Sequence, residues 1–173
     1  VKPGAKAVVF DIDETLTTGD LEQVLDYTAI ESAAARGGAA ELVNSYVAKG
    51  YHPLFLTARP YWYAKGTRRW LSIHLGVPEA TLRTTLSNTT TLLNPAEYKT
   101  QVLEEVKAAG MEIVRAYGNA TTDIEGFADA GAAIAEVGLP FSDPIADGPV
   151  IAGAMHGVLH TGTTIDDVLR AVR

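Results

Sequence analysis

The chain contains no cysteine. That single absence removes disulfide frameworks, thiolate zinc sites, iron–sulfur ligation and a cysteine nucleophile. Positive charge is in short supply too: 14 Lys and Arg stand against 21 Asp and Glu, a formal net charge of −7. A general nucleic-acid binder needs clustered positive charge to displace counterions, so the expectation is no nucleic-acid partner. An anionic substrate stays open, because a bound metal ion can invert the local field. No apolar run approaches the roughly 18 residues needed to span a bilayer, so no transmembrane segment is expected. No charged-then-apolar leader opens the chain. Position 1 is Val1 rather than Met, which leaves the compartment undefined and export open. There is no internal repeat and no long linker. At 173 residues the expectation is one domain spanning 1–173, with core enough to fold without staples.

What is present is an alternation of apolar runs and helical patterns. Ala7 to Phe10 is a short apolar run that ends in acidic residues. Leu42 to Lys49 reads as a helix stopped by Gly50, and His52 to Leu56 as a second strand. Tyr61 to Leu75 reads as a helix ending at Gly76, and Thr81 to Leu86 as a short strand. Pro95 to Ala109 is a helix with Pro in its first turn and Gly110 past its end. Glu112 to Tyr117 is a strand, Ile124 to Ala130 a helix, Ala132 to Val137 a strand and Ile165 to Val172 a terminal helix. Leu86 to Leu93 and Gly138 to Gly153 read as irregular. Repeated strand–helix alternation predicts a parallel sheet with helices on both faces. The stretch between the first two strands, broken by Gly37-Gly38, leaves no room for a separate insert, so any cap is minimal or absent.

In open parallel sheets ligands sit at the carboxyl ends of the strands. The polar residues after each apolar run should therefore converge: Asp11, Asp13 and Thr15, then Thr57 and Arg59, then Asn119 and Asp123. Lys99, near the start of the helix before that last strand, can reach the same rim. Together they are the inventory for metal-assisted phosphoryl transfer. Asp11 is the candidate nucleophile that would form an aspartyl phosphate. Asp13 is the candidate acid, then base. Thr57 with Ala58, and Lys99, would hold the phosphoryl oxygens, with Thr15 and Arg59 as further substrate contacts. Asp11, Asp13, Asn119 and Asp123 are the oxygen donors suited to Mg²⁺. Whether Asn119 or Asp123 binds it directly stays open.

Each residue also has a plainer reading. Asp is common in turns, Thr57 could cap the following helix, and Lys99 could be a solvated helix lysine. Arg59 could pair with a carboxylate instead of a phosphate. Tyr61, Trp62, Tyr63, Lys65, Arg68, Arg69 and Trp70 could pack on the sheet or lie at a membrane interface. The four histidines show no ligand spacing.

Asp11-Ile12-Asp13-Glu14-Thr15 resembles the DxDxT signature of the haloacid dehalogenase superfamily of phosphatases. Thr57, Lys99 and Gly118-Asn119…Asp123 resemble its second, third and fourth motifs, in order. Within that superfamily, Asp11 to Asp20, Thr57 to Arg59 with Thr67-Arg68 and Trp70-Leu71, and Glu97-Tyr98-Lys99 with Val102-Leu103 are similar to lipin-type phosphatidate phosphatases. Tyr117 to Asp123 is the most distinctive match, with Asn119 where most of the superfamily has Asp. The resemblance implies a haloacid dehalogenase-like, Rossmann-like three-layer sandwich with a mainly parallel sheet. It implies Mg²⁺-dependent hydrolysis of phosphatidic acid or a related lipid phosphate presented at a membrane surface. Two alternatives accompany it. Glu14, where lipins usually have Gly, matches acid phosphatases acting on soluble phosphomonoesters. The same domain type also occurs as a non-catalytic phosphatidate-binding module in some phosphatidylinositol transfer proteins. Those modules tend to lose the second Asp, and this chain keeps Asp13.

Overall fold

The computed structural model describes residues 4–18, 33–85, 95–119, 123, 126–127 and the backbone of 135–137. Five parallel strands form one sheet in the order β3-β2-β1-β4-β5. They are β1 (Lys6–Phe10), β2 (His52–Pro60), β3 (Thr81–Thr85), β4 (Glu112–Gly118) and β5 (Ala135–Val137). Helix α1 (Ala39–Ala48) leads into β2, and α3 (Pro95–Ala108) leads into β4. Between β2 and β3 runs a 3₁₀ turn (Tyr61–Tyr63), then α2 (Ala64–Trp70), then a π turn (Leu71–Leu75). This is the expected Rossmann-like α/β sandwich.

The central strand explains the three layers. Ala7, Val8, Val9 and Phe10 are all fully buried, as a strand covered on both faces must be. Side chains alternate across a strand, and here they divide two cores. Val8 and Phe10 meet Phe55, Tyr117, Val43 of α1 and Trp70, Leu71 and Leu75 of the long helical run. Ala7 and Val9 meet Leu54, Leu56 and, from α3, Val102, Leu103 and Val106. Phe10 stacks between Phe55 and Tyr117, with ring centroids 5.7 and 5.3 Å away. Those contacts tie the ends of β1, β2 and β4 at one level, and Asp11 donates its N–H to the Tyr117 carbonyl at 2.9 Å. The carboxyl ends of three strands therefore arrive together. The reversal of strand order beside β1 places the ligand crevice there.

Two elements differ from expectation. Strand β2 does not stop at Leu56; it runs on through Thr57, Ala58 and Arg59 to Pro60. The reason is β3, which pairs again at Pro60↔Thr85 after a register shift beyond Leu56. Thr57 is consequently a strand residue and does not cap the following helix. The single helix expected over 61–75 instead changes pitch twice, widening at Leu71 where Trp70 stacks on His74 (centroids 5.2 Å apart). The stretch after β1 leaves and returns at one place, through the antiparallel bridge Thr17↔Ala35. Its residues 19–32, on which the minimal-cap expectation depends, lie outside the described residues, as do 86–94 and the terminal helix expected over 165–172.

Candidate active site

The sequence-predicted residues fall into two adjoining clusters. In the first, Asp11 at the end of β1, Lys99 of α3 and Asp123 after β4 are all buried. The Lys99 ammonium donates to Asp11 Oδ1 at 2.8 Å and to Asp123 Oδ1. The other oxygen of each carboxylate is also engaged: Asp11 Oδ2 lies 3.0 Å from the Thr15 hydroxyl, and Asp123 Oδ2 accepts the Asn119 N–H at 3.1 Å. Thr15 Oγ1 is also 2.9 Å from Asn119 Oδ1, so its one proton serves Asp11 or Asn119 in turn. Gly118 makes the approach of Asp123 possible. A Cβ at that position would stand 2.5 Å from the Asp123 Cβ and 2.7 Å from its Oδ2.

In the second cluster the Asp13 carboxylate turns away from Asp11. Arg59 reaches it with Nε, 3.0 Å from Oδ2, and with Nη2, 2.6 Å from Oδ1. Thr57 Oγ1 donates to Oδ2 at 3.1 Å and itself accepts the Arg59 N–H at 3.1 Å. Arg59 Nη1 is anchored on Thr67 of α2 at 3.1 Å. Asp13 stands among the expected metal ligands and Arg59 as either a substrate contact or the partner of a carboxylate; the structure pairs Arg59 with Asp13. Ala58, between Thr57 and Arg59, is fully buried.

The loop that carries these aspartates is held in an unusual shape. Glu14 has φ +57, and it is the non-glycine residue found at positive φ among the described residues. Its carbonyl accepts from Arg36 Nη2 at 2.5 Å, the Thr15 carbonyl accepts from Arg36 Nε at 3.2 Å, and the Glu14 N–H donates to Thr17 Oγ1 at 3.1 Å. Its carboxylate accepts the Asn119 side-chain amide at 3.2 Å. Glu14, Arg36 and Thr67 were not identified as site residues from sequence. Glu14 did stand out as a departure from the lipin pattern, and a position favouring glycine is what a positive φ produces. Thr67 stood in the lipin-like pattern without a role, and nothing marked Arg36.

The electrostatics follow from burial. Desolvation pushes the Asp11 carboxyl up to about 7; Lys99 opposes the shift, while Asp123 and Asp13 add to it. Burial alone would lower Lys99, but Asp11 and Asp123 outweigh it and hold the ammonium well above its ordinary value. Lys99 is therefore a permanent cation. No group of three or more His, Cys, Asp or Glu side chains gathers around one point among the described residues. The oxygens that could hold a cation are those of two carboxylates, Asp11 and Asp123, with the Asn119 amide oxygen. Mg²⁺ is commonly held by one or two carboxylates with water and phosphate oxygens completing its octahedron, so this hard-oxygen set fits it. Crowded buried carboxylates, offset only partly by Lys99, supply the charge a cation would relieve. Of the histidines, His52 bonds the Thr81 hydroxyl at 2.7 Å and His74 lies on Trp70. His156 and His160 lie outside the described residues.

The fold is shared with several solved proteins. One is a chain of the Pnkp1/Rnl/Hen1 RNA repair complex, at TM-score 0.64 and 18% identity over 78% of this chain and 42% of that one. Another is phosphoserine phosphatase as a phospho-aspartyl intermediate analogue, at TM-score 0.54 and 16% identity over 78% and 86%. A third is the class C acid phosphatase of Bacillus anthracis, at TM-score 0.53 and 19% identity over 73% and 56%. The end of the chain carries a different likeness. The family profile described as tryptophan synthase alpha chain matches residues 114–173. The tryptophan synthase alpha chain of Chlorobium luteolum is 43% identical over 56 residues, 32% of this chain and 21% of that protein. That of Clostridium beijerinckii is 55% identical over 42 residues, 24% and 16%. The chain thus spans about a fifth or less of the length of these curated relatives. The profile described as PITM 1-3, LNS2 domain matches residues 8–137, which include both clusters of the site. By that match over three quarters of its length, the chain belongs to the LNS2-domain family.

Proposed function

We propose that this chain is a Mg²⁺-dependent phosphomonoester hydrolase that works through an aspartyl phosphate on Asp11, with phosphatidic acid or a related lipid phosphate as substrate. The observation that carries the reading is the pair Asp11 and Asp13, two buried carboxylates two residues apart with different partners. Their partners differ: Lys99 and, when bound, Mg²⁺ would favour the ionised, nucleophilic form of Asp11, while Arg59 and Thr57 orient Asp13. Asp11 Oδ attacks phosphorus and the P–O bond to the alcohol breaks; Asp13, paired with Arg59 as a carboxylate at rest, first takes up a proton from solvent and then passes it to the departing oxygen. Asp13 then takes a proton from water, which attacks the acyl phosphate and releases inorganic phosphate. Lys99 and Thr57 hold the phosphoryl oxygens as their charge redistributes. Asp11, Asp123 and Asn119 would hold Mg²⁺, which supplies charge neutralisation between the phosphate and the attacking carboxylate. The test is phosphate release from phosphatidate micelles and from p-nitrophenyl phosphate, with Mg²⁺ titrated. Asp11→Asn and Asp13→Asn should each abolish release; unchanged rates would sink the mechanism.

The family match favours a second reading, a phosphatidate-binding module without turnover, since the family's profile is that of the LNS2 domain. Saturable phosphatidate binding with no phosphate release in any divalent metal would select it.

A further inference from the structure

The structure divides the aromatic and basic cluster after β2 into an inner and an outer side. Tyr63, Thr67, Trp70 and Leu71 face the core. Tyr61 is 56% exposed, Trp62 46% and Ile73 62%, and these are three of the four large hydrophobic side chains exposed among the described residues. Tyr61 and Trp62 meet edge to face, with centroids 5.3 Å apart, so they present one joined apolar surface. Lys65, Arg68 and Arg69 are exposed beside them. From Pro60 to Pro78 there is no Asp or Glu, although the whole chain carries −7. Arg68 also donates to the Ala80 carbonyl at 3.2 Å, a contact that cancels none of its charge.

Position gives the cluster its meaning. Tyr61 follows Pro60, the last residue of β2, and that strand delivers Thr57 and Arg59 to the site. The aromatic pair therefore stands at the rim of the catalytic crevice. We propose that Tyr61, Trp62 and Lys65, with Arg68, form a docking surface for an anionic lipid bilayer, an inference that rests on the lipid-phosphate reading of the site. Trp and Tyr rings favour the headgroup level, with an apolar body and a polar tip. Lys and Arg near an anionic leaflet each add about 1 kcal/mol of attraction, or about fivefold in affinity. An acidic chain would otherwise be repelled by that leaflet, so a local patch free of acids is what approach requires. Contact at this rim would bring the open ends of β1, β2 and β4 beside the headgroups.

The experiment is vesicle co-sedimentation with the full chain, using phosphatidylcholine alone and phosphatidylcholine mixed with phosphatidylglycerol. Phosphatidylglycerol carries a phosphodiester and no phosphomonoester, so it tests the surface without filling the site. The expected result is salt-sensitive binding to the anionic vesicles only. Tyr61→Ala with Trp62→Ala, and separately Lys65→Glu, should each weaken it by at least about fivefold, leaving the melting temperature and p-nitrophenyl phosphate hydrolysis unchanged. Equal binding of the variants would overturn the proposal. So would binding confined to phosphatidate vesicles, which would place all recognition in the site. Loss of single-stranded RNA binding in the variants without vesicle binding, or a dimer that Lys65→Glu dissociates, would assign the surface to another partner. Anionic-vesicle binding without phosphatidate hydrolysis would keep the surface and defeat the substrate reading.

Discussion

Arg59 grips Asp13 through two of its nitrogens, with Nη2 2.6 Å from Oδ1 and Nε 3.0 Å from Oδ2, and both side chains are buried. In the proposed mechanism Arg59 would act through Asp13, as a positioning residue. Lysine cannot reproduce a two-pronged guanidinium contact, so Arg59→Lys should misplace the acid. General acid catalysis contributes about 10²–10⁴-fold where the leaving group needs a proton. The expected outcome is a loss of about 10²-fold in kcat/KM on an alkyl phosphate and a much smaller loss on p-nitrophenyl phosphate, whose leaving group departs readily as the anion. Equal losses on both would reduce Arg59 to a structural role.

The same pair makes a stability prediction. Removing one partner of a buried ion pair leaves an uncompensated charge and costs about 3–5 kcal/mol. Arg59→Met should fall in that range by urea unfolding, and adding Asp13→Asn should restore part of the loss. A double variant no more stable than the single would show that the charge is already solvated.

Glu14 sits in a backbone conformation that costs a side-chain-bearing residue about 1–2 kcal/mol. Glu14→Gly relieves that strain but frees the Asn119 amide from its carboxylate. Groups that orient a metal ligand typically affect metal affinity about 10–100-fold. The variant should therefore melt higher by a few degrees, roughly 2–4 °C per kcal/mol for a chain this size, yet need about tenfold more Mg²⁺. Glu14→Gln, which retains an acceptor, should keep the wild-type requirement. Thermal melts and a Mg²⁺ titration together check both directions.

Asp11 sets a pH dependence of known sign. Its carboxyl is raised to about 7 by burial, from 3.8 for the unfolded group. Below about 4 the group is protonated in both states and its contribution is fully present. As pH rises through about 7 the folded state must ionise a buried acid, and that stability is lost. Metal-free protein should thus lose melting temperature between pH 4 and 7 relative to Asp11→Asn, and Mg²⁺ should recover it at pH 7 and above. A wild-type difference from Asp11→Asn that grows in the opposite direction would contradict the assignment.

Tyr98 offers a simple control in the second core. Its buried hydroxyl has no hydrogen-bond partner among the described residues, and burial raises its pKa to about 12. An unsatisfied buried hydroxyl costs about 1–3 kcal/mol, so Tyr98→Phe should stabilise the fold and leave phosphate release unchanged. Destabilisation in a urea melt would reveal a partner.

Much of the site could be read from Ala7 to Thr15, because an apolar run followed by acidic residues marks the end of a buried strand. The order of strands and helices likewise places Lys99, Asn119 and Asp123 on this rim; in the structure Lys99 bonds Asp11 and Asp123, and Asn119 joins them through Asp123 and Thr15. For Arg59 the sequence leaves phosphate and carboxylate both open and does not name the carboxylate. Alternation assigns Arg59 to a strand face, but Asp13 lies 46 positions away, and only the folded loop decides that they meet. The extension of β2 to Pro60 depends on its pairing with β3; the strand at Thr81 is legible in the sequence, but no local pattern gives the register that pairs Pro60 with Thr85. Arg36 is legible only once its guanidinium is seen under the Glu14 and Thr15 carbonyls. Residues 138–173 lie outside the described residues, and the likeness to tryptophan synthase alpha chains reaches across them.

The proposed mechanism turns on phosphorylation of Asp11. The most direct measurement is acid quenching of the enzyme during phosphatidate turnover with Mg²⁺, followed by mass spectrometry of the peptide containing Asp11. One phosphoryl group is expected on Asp11, absent in Asp11→Asn; in Asp13→Asn, which lacks the acid as well as the base, it should form more slowly from phosphatidate and persist longer once formed. Phosphate release that proceeds with Asp11 unmodified, or phosphatidate bound with no release at all, would contradict it.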